Sequence, residues 1–270
     1  MPVRISSALL VVQGALSAES GPRARTRRAP RPLVLQRVHV IDATGAPTKL
    51  NRAVCVLGGC IEAIEAAGDL PIPAGARVVD GRGAFLIPGL WDMHVHLAQL
   101  GESALPLFIA NGVTTVRDVS ERPDAADPTD PMCAQLETLR RRIEAGVLIG
   151  PRILAPGRAV READWMDDLR RRASLSFPGF TVHDELELLV RRIGWTPLQA
   201  IIGLTRAPAE HYGLERELGT IEPGKMADLV LLDGDPLQDI RHTRRIRAVV
   251  RGGRFIETAE RVLRAGHARS

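Results

Sequence analysis

His94 and His96 stand two residues apart in Leu90-Trp91-Asp92-Met93-His94-Val95-His96, a run that reads as a β-strand. Side chains at i and i+2 of a strand leave the same face, so the two imidazoles lie side by side. Neutral imidazole is a good ligand for zinc, iron, nickel or copper, and two of them make half of a metal site. The spacing alone would suit two surface histidines equally. Asp118 closes the next apolar strand and would face the same end, although it reads as well as a loop carboxylate pairing Arg117. His183 is a further candidate neighbour, with capping of its own helix as the other reading.

Placing those residues takes alternating strands and helices. Residues 90–96 read as a strand, 104–111 as a helix stopped by Gly112, and 113–116 as a strand ending at Arg117-Asp118. Residues 136–144 form an amphipathic helix stopped by Gly146, and 152–154 another strand. That alternation implies an α/β fold with parallel pairing. Beyond Pro156-Gly157 come a charged helical stretch at 161–172, a loop at 177–180 and a helix at 184–192. Thr196-Pro197-Leu198-Gln199 then matches a capping box with proline at the first helical position. Both flanks are short strands instead. Residues 53–57 and 60–64 are apolar runs around Gly58-Gly59, and 246–250 meets 254–256 across Gly252-Gly253, two hairpin signals. Neither flank can fold alone, so the two ends must share a sheet or sandwich.

Four segments carry a family resemblance. Leu86-Ile87-Pro88-Gly89-Leu90-Trp91-Asp92-Met93-His94-Val95-His96-Leu97 resembles the first-strand motif of the amidohydrolase superfamily, in the group related to imidazolonepropionase and Xaa-Pro dipeptidases. Gly112-Val113-Thr114-Thr115-Val116-Arg117-Asp118 is similar to that group's second strand, and His183-Asp184-Glu185-Leu186-Glu187-Leu188-Leu189 to its last barrel helix. Gly219-Thr220-Ile221-Glu222-Pro223-Gly224-Lys225-Met226-Ala227-Asp228-Leu229-Val230 looks like its closing sandwich motif. The resemblance implies a (β/α)8 TIM-like barrel plus a β-sandwich built from both chain ends. It also implies a divalent metal, zinc foremost, at the C-terminal face of the barrel, with His94 and His96 as ligands. Hydrolysis of a carbon–nitrogen bond in a small amide, cyclic amide or dipeptide would follow.

The chain is short for that architecture. About 86 residues separate His96 from His183, room for about three βαβ units of about 30 residues each, whereas a whole barrel takes about 250. No histidine lies between those two positions, and the two lysines, Lys49 and Lys225, fall in the sandwich segments. The strand-five and strand-six histidines and the bridging lysine of the family therefore have no counterpart. Where the last-strand aspartate belongs stands Ala173-Ser174-Leu175-Ser176; Asp164, Asp167 and Asp168 lie upstream in the charged stretch. The expectation is an incomplete barrel at 88–218, a composite β-sandwich from 31–87 and 219–258, a signal-like or disordered basic segment at 1–30 and a tail at 259–270. The alternative to an active hydrolase is a truncated, catalytically inactive remnant.

Composition sets the remaining bounds. Hydrophobic residues are 45% of the 270 but aromatics only 3%, so the core must rest on aliphatic side chains. The net charge of +4 is arginine, clustered once at Arg23, Arg25, Arg27, Arg28 and Arg31. No nucleic-acid-binding motif accompanies that cluster. Residues 5–16 form a modest apolar run after Arg4, which fits a weak secretory signal or a disordered start. No segment approaches the roughly 20 apolar residues of a membrane span. Cys55, Cys60 and Cys133 make no disulfide framework; the first two either face each other across their hairpin or fill core space. A partner, if there is one, would be a second copy pooling strands into a larger sheet.

Overall fold

The computed structural model describes residues 31–119, 131–154 and 178–257. The signal-like segment, the charged stretch at 161–172 with Asp164, Asp167 and Asp168, and the tail lie outside them.

From the N-terminal side come strands β1 (Leu33–Val40), β2 (Lys49–Leu57), β3 (Cys60–Ala66), β4 (Arg77–Asp80) and β5 (Phe85–Pro88). The middle supplies β6 (Leu90–Val95), β7 (Val113–Asp118) and β8 (Arg152–Leu154), and the C-terminal side β9 (Leu229–Leu232), β10 (Ile246–Arg251) and β11 (Arg254–Glu257). Helices α1 (Leu97–Leu100), α2 (Leu105–Ala110) and α3 (Pro131–Glu144) fall between the middle strands; α4 (Thr181–Arg191), α5 (Pro197–Gly203) and α6 (Arg206–His211) precede β9. Among the described residues no helix is long and apolar enough to cross a membrane.

The strands from the two flanks hydrogen-bond into one eight-stranded sheet, ordered β11-β10-β9-β5-β1-β2-β3, with β4 alongside β1. The sheet curls until its two end hairpins meet. Their turns put Gly58, Gly59, Gly252 and Gly253 all in the left-handed region, as two-residue hairpin loops favour. They also touch: a Cβ on Gly253 would lie 2.6 Å from the Cα of Gly59. Cys60 bridges to Met226, and the Ala227 N–H donates to the Gly59 carbonyl at 2.9 Å. Inside the curl pack Leu33, Leu35, Val54, Val56, Leu86, Leu229, Leu231 and Val250.

The strand registers settle two smaller points. β1 runs unbroken from Leu33 to Val40: Arg37 takes a φ of 60° and the pairing shifts around it without ending. Cys55 sits opposite Ala63 and Cys60 opposite Leu57, so these thiols do not face each other. Cys55 and Cys60 are free thiols.

The second sheet is parallel, ordered β6-β7-β8. β5 and β9 join it to the first, because they are apolar on both faces. Leu86, Leu229 and Leu231 point into the curl, while Ile87, Val230 and Leu232 pack with Leu90, Phe108, Val116, Leu186 and Ile201. That two-sided burial explains the uninterrupted Leu229-Val230-Leu231-Leu232 run. The outer edge of β6 is covered too: the Trp91 N–H donates to the Leu204 carbonyl at 2.9 Å. The capping box before α5 forms as its residues imply, with the Gln199 N–H donating to Thr196 Oγ1 at 3.2 Å and the Thr196 N–H to Gln199 Oε1 at 2.8 Å.

One residue separates β5 from β6. The Gly89 N–H donates to the Asp228 carbonyl at 2.8 Å, and the Leu90 N–H to the Gly112 carbonyl at 3.0 Å. A Cβ on Gly89 would fall 2.0 Å from Thr114 Oγ1 and 2.7 Å from Thr114 Cβ. Thr114 is fully buried and cannot move aside. Gly89→Ala should therefore destabilise the fold by about 1–3 kcal/mol, read as a lower urea midpoint; an unchanged midpoint would contradict this packing.

Candidate metal-binding site

His94 is the penultimate residue of β6 and His96 the first residue beyond it. Both are half-buried. Their ring centroids lie 5.3 Å apart with planes at 72°. Zinc–imidazole bonds of about 2.0–2.1 Å at tetrahedral angles put two ring centres roughly 5 Å apart, so this spacing suits two ligands of one ion.

The backbone around the pair is pinned at three points. Val95 pairs with Asp118 of β7, and the Val119 N–H donates to the Val95 carbonyl at 2.9 Å. Asp118 is buried, and its Oδ2 accepts the Leu97 N–H at 2.6 Å. Asp92 Oδ1 accepts the His94 N–H at 3.2 Å. Asp118 thus stands beside the pair, one residue past His96 in its contact, and holds the first turn of α1 in place. Asp92 escapes sequence reasoning because an aspartate inside a strand has many explanations; its position two before His94 is the one local signal, that of a side chain turning back on its own backbone.

His183 does not join them, and the expectation of a site neighbour is corrected. It sits in α4 with 2% exposure, Nε2 3.1 Å from the Asn111 carbonyl and Nδ1 3.0 Å from Thr243 Oγ1. Asn111 precedes β7, whereas Asp118 ends it, so His183 belongs to the opposite end of the parallel strands. A six-residue strand separates the two ends by about 20 Å. Nor does His183 cap α4, whose first turn has no side-chain cap; it ties that helix to the α2 end and to the turn at Thr243. The other histidines that the structure describes also serve locally. His39 Nδ1 accepts the Asn51 N–H, and His242 Nδ1 lies 2.9 Å from the Asp235 carbonyl.

A carbonyl only accepts, so Nε2 of His183 carries the proton. Burial, and then the Arg244 guanidinium nearby, push its pKa down from 6.5 to about 4. The folded state therefore favours neutral imidazole. Its contribution is complete above about pH 6.5 and is lost as the pH falls towards 4, in total about 3 kcal/mol. The stability advantage of the wild type over His183→Gln, from urea unfolding at pH 7, 5.5 and 4, should shrink with falling pH. A constant difference would contradict a neutral buried imidazole.

The donors fit a divalent ion in kind but not in number. Two imidazoles are half of a tetrahedral set, and a catalytic zinc takes about three protein ligands. Among the described residues no group of three or more His, Cys, Asp or Glu side chains is arranged to hold a metal. Asp118 Oδ2 is committed to the Leu97 N–H. No catalytic step through a metal follows from these residues alone.

A model of the Amidohydrolase family matches residues 171–256, the C-terminal part of the chain. A dihydroorotase of Thermus aquaticus is 27% identical over 216 residues, covering 76% of this chain and 47% of that protein. The family match on the C-terminal part and this relative support a place in the amidohydrolase superfamily. An imidazolonepropionase of Idiomarina loihiensis is 43% identical over 54 residues, 20% of this chain and 13% of that protein. The chain thus spans less than half the length of these curated relatives. The fold is shared with a Xaa-Pro dipeptidase crystal structure at a TM-score of 0.64 and 15% identity, covering 84% of this chain and 100% of that one.

Proposed function

We propose that this chain is a metal-dependent hydrolase of carbon–nitrogen bonds, acting on a small amide, cyclic amide or dipeptide-like substrate. His94 and His96 would hold a divalent ion, with zinc among those that imidazole donors suit. Asp118 would support the loop that carries them. The observation behind this reading is the imidazole pair 5.3 Å apart at the C-terminal end of a parallel strand, where barrel enzymes of this kind build their sites. When bound, such an ion polarises a carbonyl and lowers the pKa of a bound water to about 7. In this reading residues 88–218 are an incomplete (β/α) barrel, and 31–87 with 219–258 a composite β-sandwich.

A second reading has one observation in its favour: among the described residues the pair has no third ligand. The chain would then be an inactive remnant of the family.

Hydrolysis assays separate the two. The protein is stripped with a chelator, reloaded with zinc, and offered dihydroorotate-type cyclic amides, Xaa-Pro dipeptides and simple anilides. The proposal expects turnover that follows metal loading and is lost, by at least about 100-fold, in His94→Ala/His96→Ala. No metal-dependent turnover across the panel would leave the remnant reading standing.

A further inference from the structure

A cavity of about 760 Å³ opens where the β2–β3 turn, the β10–β11 turn and the segment from the end of α3 into β8 come together. Arg152, Arg251 and Arg254 line it, with Leu148 and Phe255 among its apolar walls. Arg152 begins β8, so the cavity lies at the end of the parallel strands away from His94 and His96.

Three guanidiniums line this cavity, Arg152 and Arg254 among them. Behind the wall Asp228 accepts the Gly252 N–H at 2.6 Å and faces Arg152 at 3.5 Å and Arg251 at 3.7 Å. Both separations exceed those of a hydrogen-bonded ion pair. Glu144, exposed on the rim, is the other carboxylate of the lining. Arg152 has its closest polar contact with Met226 Sδ, at 3.1 Å, a weak acceptor. Its Nε is buried without a hydrogen-bond partner among the described residues. Arg254 makes no ion pair among the described residues, and its guanidinium packs over Gly146, where a Cβ would lie 2.3 Å from Nη1. An unmatched, partly desolvated guanidinium is costly to leave alone and well shaped for an oxyanion.

We infer that this cavity binds a small organic oxyanion, its carboxylate or phosphate group held by Arg152 and Arg254 and its apolar body against Leu148 and Phe255. The volume falls within the range of small-molecule sites. Fork-shaped donors beside apolar walls select an anion that also carries a hydrophobic group. Gly146 is part of the design, because any side chain there would displace the Arg254 guanidinium.

Isothermal titration at constant ionic strength tests this with benzoate, phenyl phosphate and inorganic phosphate. Saturable binding of benzoate or of phenyl phosphate is expected, and the tighter of the two identifies the headgroup. Arg254→Gln, a change at an exposed position, should weaken that binding about tenfold or more. Arg241→Gln, which removes a surface arginine paired with Asp239, should leave it unchanged. The proposal is overturned if neither organic anion saturates, if Arg254→Gln binds like the wild type, or if inorganic phosphate binds as tightly as both.

Discussion

The chain crosses from one sheet to the other within a single residue, and the rest of the architecture depends on that crossing. Gly89 donates its N–H to Asp228 at the head of β9, and Leu90 donates to Gly112 at the foot of β7. One bond belongs to each sheet, so the orientation of β6 is set by the sheet that both flanks of the chain build together. His94 and His96 lie at the far end of that strand. Their direction is therefore decided by residues more than 100 positions away in sequence. The absence of a side chain at Gly89 is what lets Thr114 close against the crossing.

The two ends of the parallel strands are built from different chemistry. At the C-terminal end stand half-buried imidazoles and a buried carboxylate spent on a backbone N–H. At the N-terminal end a neutral, fully enclosed His183 joins α4 to Asn111 and Thr243. The same residue type thus serves as a ligand candidate at one end and as a core hydrogen-bonding group at the other. Burial decides between the roles: an enclosed imidazole already bonded through both nitrogens has no lone pair to offer an ion.

Much of this could be read from the residues. The glycine pairs at Gly58-Gly59 and Gly252-Gly253 announce their hairpins through the φ they require. Thr196-Pro197-Leu198-Gln199 announces its cap, and the apolar runs of β6, β7 and β9 their burial. What escaped was set by distance. The direction of His183 follows from the packing of α4 against the turn at Thr243, which no local pattern encodes. The touching of the two hairpin turns needs both chain ends at once, and so does the placement of Asp228 between Arg152 and Arg251. Nothing local marks Arg152, and only the curl of the sheet brings it and Arg254 to one cavity. A pair of histidines two apart was visible at once, but their ring separation depends on the turn that His96 makes as it leaves the strand.

The likeness to amidohydrolases goes with the order of the segments, and among the described residues the imidazole pair has no third ligating side chain arranged with it. Whether that pair holds an ion decides between hydrolase and remnant. Elemental analysis of the folded, purified protein, beside His94→Ala/His96→Ala, is the most direct measurement. About one zinc per chain in the wild type, absent from the double variant, is expected. A wild type that stays free of metal after supplementation, or a variant that keeps its metal, would contradict metal binding by the pair.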